Sequence, residues 1–166
     1  MKTAFRLGLL VLSLSLLSSC KKDDDTNTNT AASLASFLKG SFEVSRADYD
    51  GTISTNIGNI PLQGTGKNTS GSYLFESNTT TSTYLVNSTM EVTIFGQTNQ
   101  YPINVSGGGS FDVINETSFS IDDPENGLTT YQVSNRTANS MMVSTDYSAD
   151  TMGGSVNLRL DIYLSK

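Results

Sequence analysis

The chain has 166 residues, with 10 Lys and Arg against 16 Asp and Glu, no histidine, no tryptophan and one cysteine. The acidic balance argues against nucleic acid, whose binding needs a basic patch to neutralise phosphates, and against electrostatic attraction to anionic lipid headgroups. Without histidine there is no Ser-His-Asp triad, Cys-His pair or imidazole metal site, and a single cysteine allows no intramolecular disulfide.

Lys2 and Arg6 form a short positive segment, Leu7 to Leu17 an apolar run, and Ser18 and Ser19 a pair of small residues before Cys20. This is the layout of a cleavable signal, and the run is too short for a bilayer span of about 20 residues. Leu17-Ser18-Ser19-Cys20 resembles a bacterial lipobox. The resemblance implies cleavage before Cys20, acylation of Cys20, and a membrane partner reached through that anchor. An ordinary secretory signal ending in a cysteine is the alternative. One acyl chain holds weakly, but the two or three chains of such lipoproteins anchor stably. Lys21-Lys22-Asp23-Asp24-Asp25 resembles the lysine-plus-acidic export tag of Bacteroidota surface lipoproteins. That resemblance implies the outer leaflet of the outer membrane; a solvated charge run is the plainer alternative.

The chain therefore divides into a signal peptide at 1–19, a lipidated cysteine and polar tether at 20–33, and one domain at 34–166. Lys2 and Arg6 are the only charged residues of the first nineteen, so the rest carries all 16 acidic residues against eight basic ones. Ser33 suits the cap of a brief helix over Leu34 to Lys39, with Leu34, Phe37 and Leu38 on one face and Gly40 just past its end.

From Ser41 onward the period is two. Val156, Leu158, Leu160, Ile162 and Leu164 alternate with mostly polar residues, as in a strand with one buried face. Tyr84, Val86, Met90, Val92 and Ile94 form a second such face, interrupted by Ser88. Shorter runs include Phe42 and Val44, Tyr73 and Phe75, Tyr101 to Val105, Phe111 and Val113, Phe119 and Ile121, Tyr131 and Val133, and Met141 to Tyr147. Turn signals separate them: Tyr49-Asp50-Gly51, Gly64 to Asn68, Gly107-Gly108-Gly109, Pro124 to Gly127, and Gly153-Gly154. The pattern predicts an all-β fold, an antiparallel up-and-down β-barrel of 8–10 strands, with a β-sandwich as the alternative. A barrel leaves no edge strand, and the sequential hairpin spacing favours it.

Leu38-Lys39-Gly40-Ser41-Phe42, Asp50-Gly51, Gly64-Thr65-Gly66-Lys67-Asn68 and the closing strand Val156 to Leu164 together resemble a lipocalin-like domain of small surface lipoproteins. True lipocalins open on Gly-x-Trp, where this chain has Gly40-Ser41-Phe42. An outer-membrane-spanning barrel is opposed by the lipobox, the ending Leu164-Ser165-Lys166, and the scarcity of strands near ten residues.

Carboxylates remain as the available chemistry. Asp122-Asp123-Pro124-Glu125 offers oxygen ligands for calcium, and more simply an acidic turn. Asp48 and Asp50 offer paired acids for glycoside hydrolysis, and again a turn explains them. Arg46 follows Phe42 and Val44 at period two, which points it into the lumen toward an anionic head, or to the barrel mouth. Gly107 to Gly109 read as a bend or bulge. Asp150-Thr151-Met152 resembles an O-glycosylation tag of the same bacteria, which would put a glycan on Thr151.

The expectation is therefore a non-enzymatic outer-membrane lipoprotein without metal or cofactor. Its barrel would bind a small apolar or glycan-like ligand through Phe42, Val44, Arg46, Tyr73, Phe75, Tyr84 and Tyr131. Eight-stranded barrels are also narrow enough to be filled by side chains. The alternative is therefore an interaction lipoprotein with a filled barrel whose loops contact an outer-membrane protein partner.

Overall fold

The computed structural model describes residues 32–56, 58–94, 96–151 and 154–166. The signal, Cys20 and nearly all of the tether lie outside the described residues, so the expectations placed on them are not addressed by it.

Helix α1 (Leu34–Leu38) starts where Ser33 Oγ accepts from the Ser36 N–H, and it buries Leu34, Phe37 and Leu38. Its first amide donates to Glu116 Oε2 at 3.0 Å, and Glu116 pairs with Arg136 at 3.2 Å. Nine strands follow in chain order: β1 (Gly40–Thr55), β2 (Gly58–Thr65), β3 (Lys67–Phe75), β4 (Thr81–Ile94), β5 (Gln97–Asn115), β6 (Ser118–Asp123), β7 (Gly127–Ser134), β8 (Ser140–Thr151) and β9 (Gly154–Ser165). They form one antiparallel sheet in which β1 also pairs with β9, so the hydrogen bonding runs round in a ring. That closure is the up-and-down arrangement and not a two-sheet sandwich.

The ring is irregular. β1 meets β3 through Gly40 to Glu43 and β2 through Asp48 to Thr55, both on one edge. β2 and β3 are therefore two halves of one bent stave, broken at Gly66, whose N–H donates to Ala47 O at 2.8 Å. On its other edge β1 pairs with β9, with a register shift between Val44 and Arg46. A bulge of this kind places two residues against one and reverses which residues face inward. Phe42 and Val44 are buried before it, Ala47, Tyr49 and Ile53 after it.

Two expected turns are strand instead. Asp50-Gly51 lies inside β1, between β2 and β9. A Cβ on Gly51 would lie 2.9 Å from Leu158 Cα, so glycine is there for close approach. Gly107 to Gly109 lie inside β5, opposite Tyr84 to Ser82 of β4. A Cβ on Gly107 would meet the Tyr84 hydroxyl at 2.7 Å, and one on Gly108 would meet Ser82 O at 2.6 Å. The chain reverses at 55–58 and 94–97 instead, near Gly58 and Gly96, both with positive φ.

The inward face is mostly apolar, with Ser88 as a buried polar residue between Val86 and Met90. An aromatic cluster fills the end under α1: Phe75 lies 5.1 Å from Phe111, 5.4 Å from Phe119 and 6.1 Å from Phe42, ring to ring. These spacings suit edge-to-face packing. Aliphatic residues, among them Ile53, Leu62, Met90, Val92, Ile103 and Val156, fill the other end. Outward positions carry mostly polar side chains, with Leu74, Leu85, Ile114 and Leu128 as the large apolar ones exposed. A bilayer-spanning barrel has the opposite pattern, an apolar outer band.

Candidate functional site: a tyrosine-lined cavity in the barrel wall

The wall is incomplete beside the β6–β7 hairpin, because β6 is short and β7 pairs with β8 over only its last three residues. β6 pairs with β5 only through Ser110 to Asn115, and β7 pairs with β8 only through Gln132 to Ser134. Beyond that point no ladder joins Gln97–Gly109 of β5 to Thr145–Thr151 of β8 among the described residues. The β6–β7 turn sits at the head of this split. Below it lies a cavity of about 220 Å3 whose walls include Tyr73, Tyr84, Tyr131, Tyr147, Leu160 and Ile162.

Asp123 organises the turn. Its Oδ1 accepts from the N–H groups of Glu125 (2.8 Å) and Asn126 (3.1 Å). Its Oδ2 accepts from Gly108 N–H (2.8 Å), Asn126 Nδ2 (3.1 Å) and the Tyr84 hydroxyl (3.3 Å). The Glu125 and Gly108 amides, helped by Asn126, hold this buried carboxyl well below the usual carboxylate range. The Asp-Asp-Pro-Glu segment is thus a turn fastened by its own acid. Among the described residues no group of three or more His, Cys, Asp or Glu comes together as a metal site.

The tyrosines form a connected group. Tyr73 stacks on Tyr84 at 5.6 Å and meets Tyr131 edge-on at 6.2 Å, while Tyr131 stacks on Phe119 at 4.9 Å. Burial raises the hydroxyl pKa of Tyr73, Tyr84 and Tyr131. The nearby Asp123 charge adds to this at Tyr84 and Tyr131. These phenols are neutral near pH 7 and offer O–H donors and ring surface, with no nucleophile–base pair among them.

The residues anticipated from sequence divide into groups. Tyr73, Tyr84 and Tyr131 come together at the cavity. Phe42, Val44 and Phe75 are buried in the core and are not among its lining residues. Arg46 is turned to the outer surface by the bulge before it, pairs with Asp48 at 2.7 Å, and lies over the Tyr163 ring at 5.0 Å. Of the two positions open to it from sequence, lumen or solvent, Arg46 takes the solvent-exposed one and does not face the lumen. Asp48 also accepts from Thr65 Oγ1 at 2.7 Å, and it lies with exposed Asp50 on the outer face of β1, in strand and not in a turn. Thr151 ends β8, and its side chain is outside what is described. Tyr147, Asn126, Thr129 and Asp146 were not anticipated at the site. The Pro-Glu-Asn-Gly turn and the period-two run from Met141 to Tyr147 were the sequence signals near them.

The described residues define an irregular, ring-closed antiparallel β domain with a small aromatic cavity in its wall. No family model matches the chain, and no curated protein matches it. Among solved structures it is similar to the crystal structure of a dog lipocalin allergen, at a TM-score of 0.36 and 16% identity, over 78% of this chain and 73% of that one.

Proposed function

We propose that the protein is an outer-membrane lipoprotein, anchored through Cys20 and facing the medium, whose β domain binds a small ligand and catalyses no reaction. The binding reading is carried by the cavity, where four tyrosines gather at a break in the wall. Tyrosine offers an apolar ring and a hydrogen-bonding tip together. About 220 Å3 is below the roughly 300–1,000 Å3 of drug-sized sites but above the roughly 150 Å3 that admits benzene. A small apolar body or a single sugar-like ring fits; a long acyl chain does not. The anchor and the outward-facing location are supported by Leu17 to Asp25 alone.

The filled core beside the cavity favours a second reading, an interaction protein that meets an outer-membrane partner through its loops. Thermal unfolding with a panel of small aromatic molecules and single sugars separates the two. A ligand at about 100 times its Kd stabilises by roughly 2.7 kcal/mol, a rise of several degrees in Tm. A panel that leaves Tm unmoved defeats the binding reading. For the anchor, Cys20→Ala is expected to accumulate as uncleaved precursor and lose membrane association. Mature, detergent-dependent protein from that variant would defeat it.

A further inference from the structure

The split in the wall leaves one strand edge open beside the cavity. Hydrogen bonding between antiparallel strands alternates along each of them. Lys166 N–H donates to Asn139 O at 2.8 Å, one step before β8 begins. Odd-numbered positions of β8 therefore bond to β9, and even-numbered ones turn their N–H and C=O groups away from it. Ser140 O accepts from Thr137 N–H on that far side at 2.8 Å, and Met142 and Ser144 face Ser134 and Gln132 of β7. There the ladder to β7 ends. Among the described residues no strand pairs with the far side of Asp146, Ser148 and Asp150.

Across the split, the edge of β5 is blunted. Phe111 N–H donates to Thr80 O at 2.6 Å, so the even-numbered residues of β5 are the ones that face away from β4. Of these, Gly108 gives its N–H to Asp123 at 2.8 Å, Ser106 O accepts from Asn126 Nδ2 at 3.4 Å, and Pro102 has no N–H. The edge of β8 has no such protection. Four consecutive residues of it, Thr145 to Ser148, line the cavity, with Val105 of β5 and Thr129 of β7 on the other sides. Inward and outward positions of β8 alike border the space, which places the cavity at the edge itself.

Resting on the binding reading above, we propose that the ligand is an extended peptide segment of a partner protein. It pairs with the β8 edge at Asp146 to Asp150 and seats one apolar side chain among Tyr84, Tyr131 and Tyr147. A row of free N–H and C=O groups at alternate residues matches another extended backbone, and side-chain pockets beside such an edge supply specificity. Side chains of an added strand alternate between the two faces, so the one opposite Tyr147 points inward. About 220 Å3 holds one phenylalanine or leucine side chain, since roughly 150 Å3 admits benzene. The segment must be a lone strand. A strand already built into another sheet brings neighbours that collide with β5 and β7.

The probe is the acetylated, amidated pentapeptide Lys-Val-Thr-Phe-Lys, titrated calorimetrically into the full chain purified in detergent. Laid antiparallel to β8, its threonine falls opposite Ser148 and its phenylalanine opposite Tyr147. Methylating the threonine nitrogen removes a donor aimed at β8 and should weaken binding about tenfold. Methylating the phenylalanine nitrogen, which points away from β8, should change it by less than about threefold. Alanine in place of phenylalanine should weaken it about tenfold or more. Ser148→Pro blocks the edge at an exposed position and should weaken the peptide about tenfold, while small aromatic molecules still raise Tm. Equal loss on methylating either nitrogen overturns the strand pairing, and the two methylated peptides give this answer even where Ser148→Pro does not fold. Peptide binding that survives in folded Ser148→Pro also overturns it, as does a dimer of the chain that this substitution dissociates. Small aromatic molecules that raise Tm where the peptide does not bind overturn the peptide and leave the binding reading standing. No binding by peptide, small aromatic molecules or single sugars overturns both proposals.

Discussion

Phe75→Ala is expected to destabilise the domain by about 3–5 kcal/mol, against a total of about 5–15 kcal/mol for ordinary domains. The size of the effect follows from position. Phe75 is fully buried and touches Phe42, Tyr73, Phe111 and Phe119, joining strands from opposite sides of the ring. Removing the ring loses its transfer free energy and leaves a hole that the surrounding strands, held by their ladders, close only in part. Urea unfolding of wild type and variant measures it. A loss below 1 kcal/mol would mean that the aromatic cluster repacks freely.

Asp123→Asn is expected to lower Tm at pH 7 by roughly 5–10 °C, although it changes almost no volume. An amide keeps one acceptor oxygen but turns an N–H group toward donors that were meeting Oδ2. Gly108, Asn126 and Tyr84 then compete for too few lone pairs. Because the folded-state carboxyl titrates below its ordinary value of 3.8, its stabilisation is complete above about pH 4. It disappears as pH falls from there through the folded value. The Tm difference between wild type and Asp123→Asn should therefore hold from pH 5 to 8 and shrink steadily in stronger acid. A difference that persists undiminished at pH 2 would show that the carboxylate charge is not what fastens the turn.

The sequence made most of this fold legible and less of the site. β9 and β4 are regular because each keeps one continuous face inward, and a period-two pattern reports that directly. β1 misleads after Val44, because a bulge is one residue of local geometry with no composition of its own. Asp50-Gly51 and the Gly107 run mimic turns because glycine marks close approach of another backbone as readily as a change of direction. Tyr73, Tyr84 and Tyr131 were visible as inward aromatics. Tyr147 and Asp146 lie at the site only because β7 joins β8 from Gln132 onward and its earlier residues pair with β6 alone, a separation not written in the residues near Tyr147.

The pairing of β1 with β9 joins residues roughly a hundred positions apart, from Thr55 with Gly154 to Glu43 with Ser165. Every other neighbouring pair in the sheet is a local hairpin or nearly so. The hairpins can therefore form early and independently, whereas the step that seals the core waits for the final strand and bears the full loop-closure entropy. Until β9 arrives, both of its flanking staves, β1 and β8, hold unsatisfied edges. A nascent chain of this protein thus cannot seal its core until synthesis is nearly complete, however many of its hairpins have already formed.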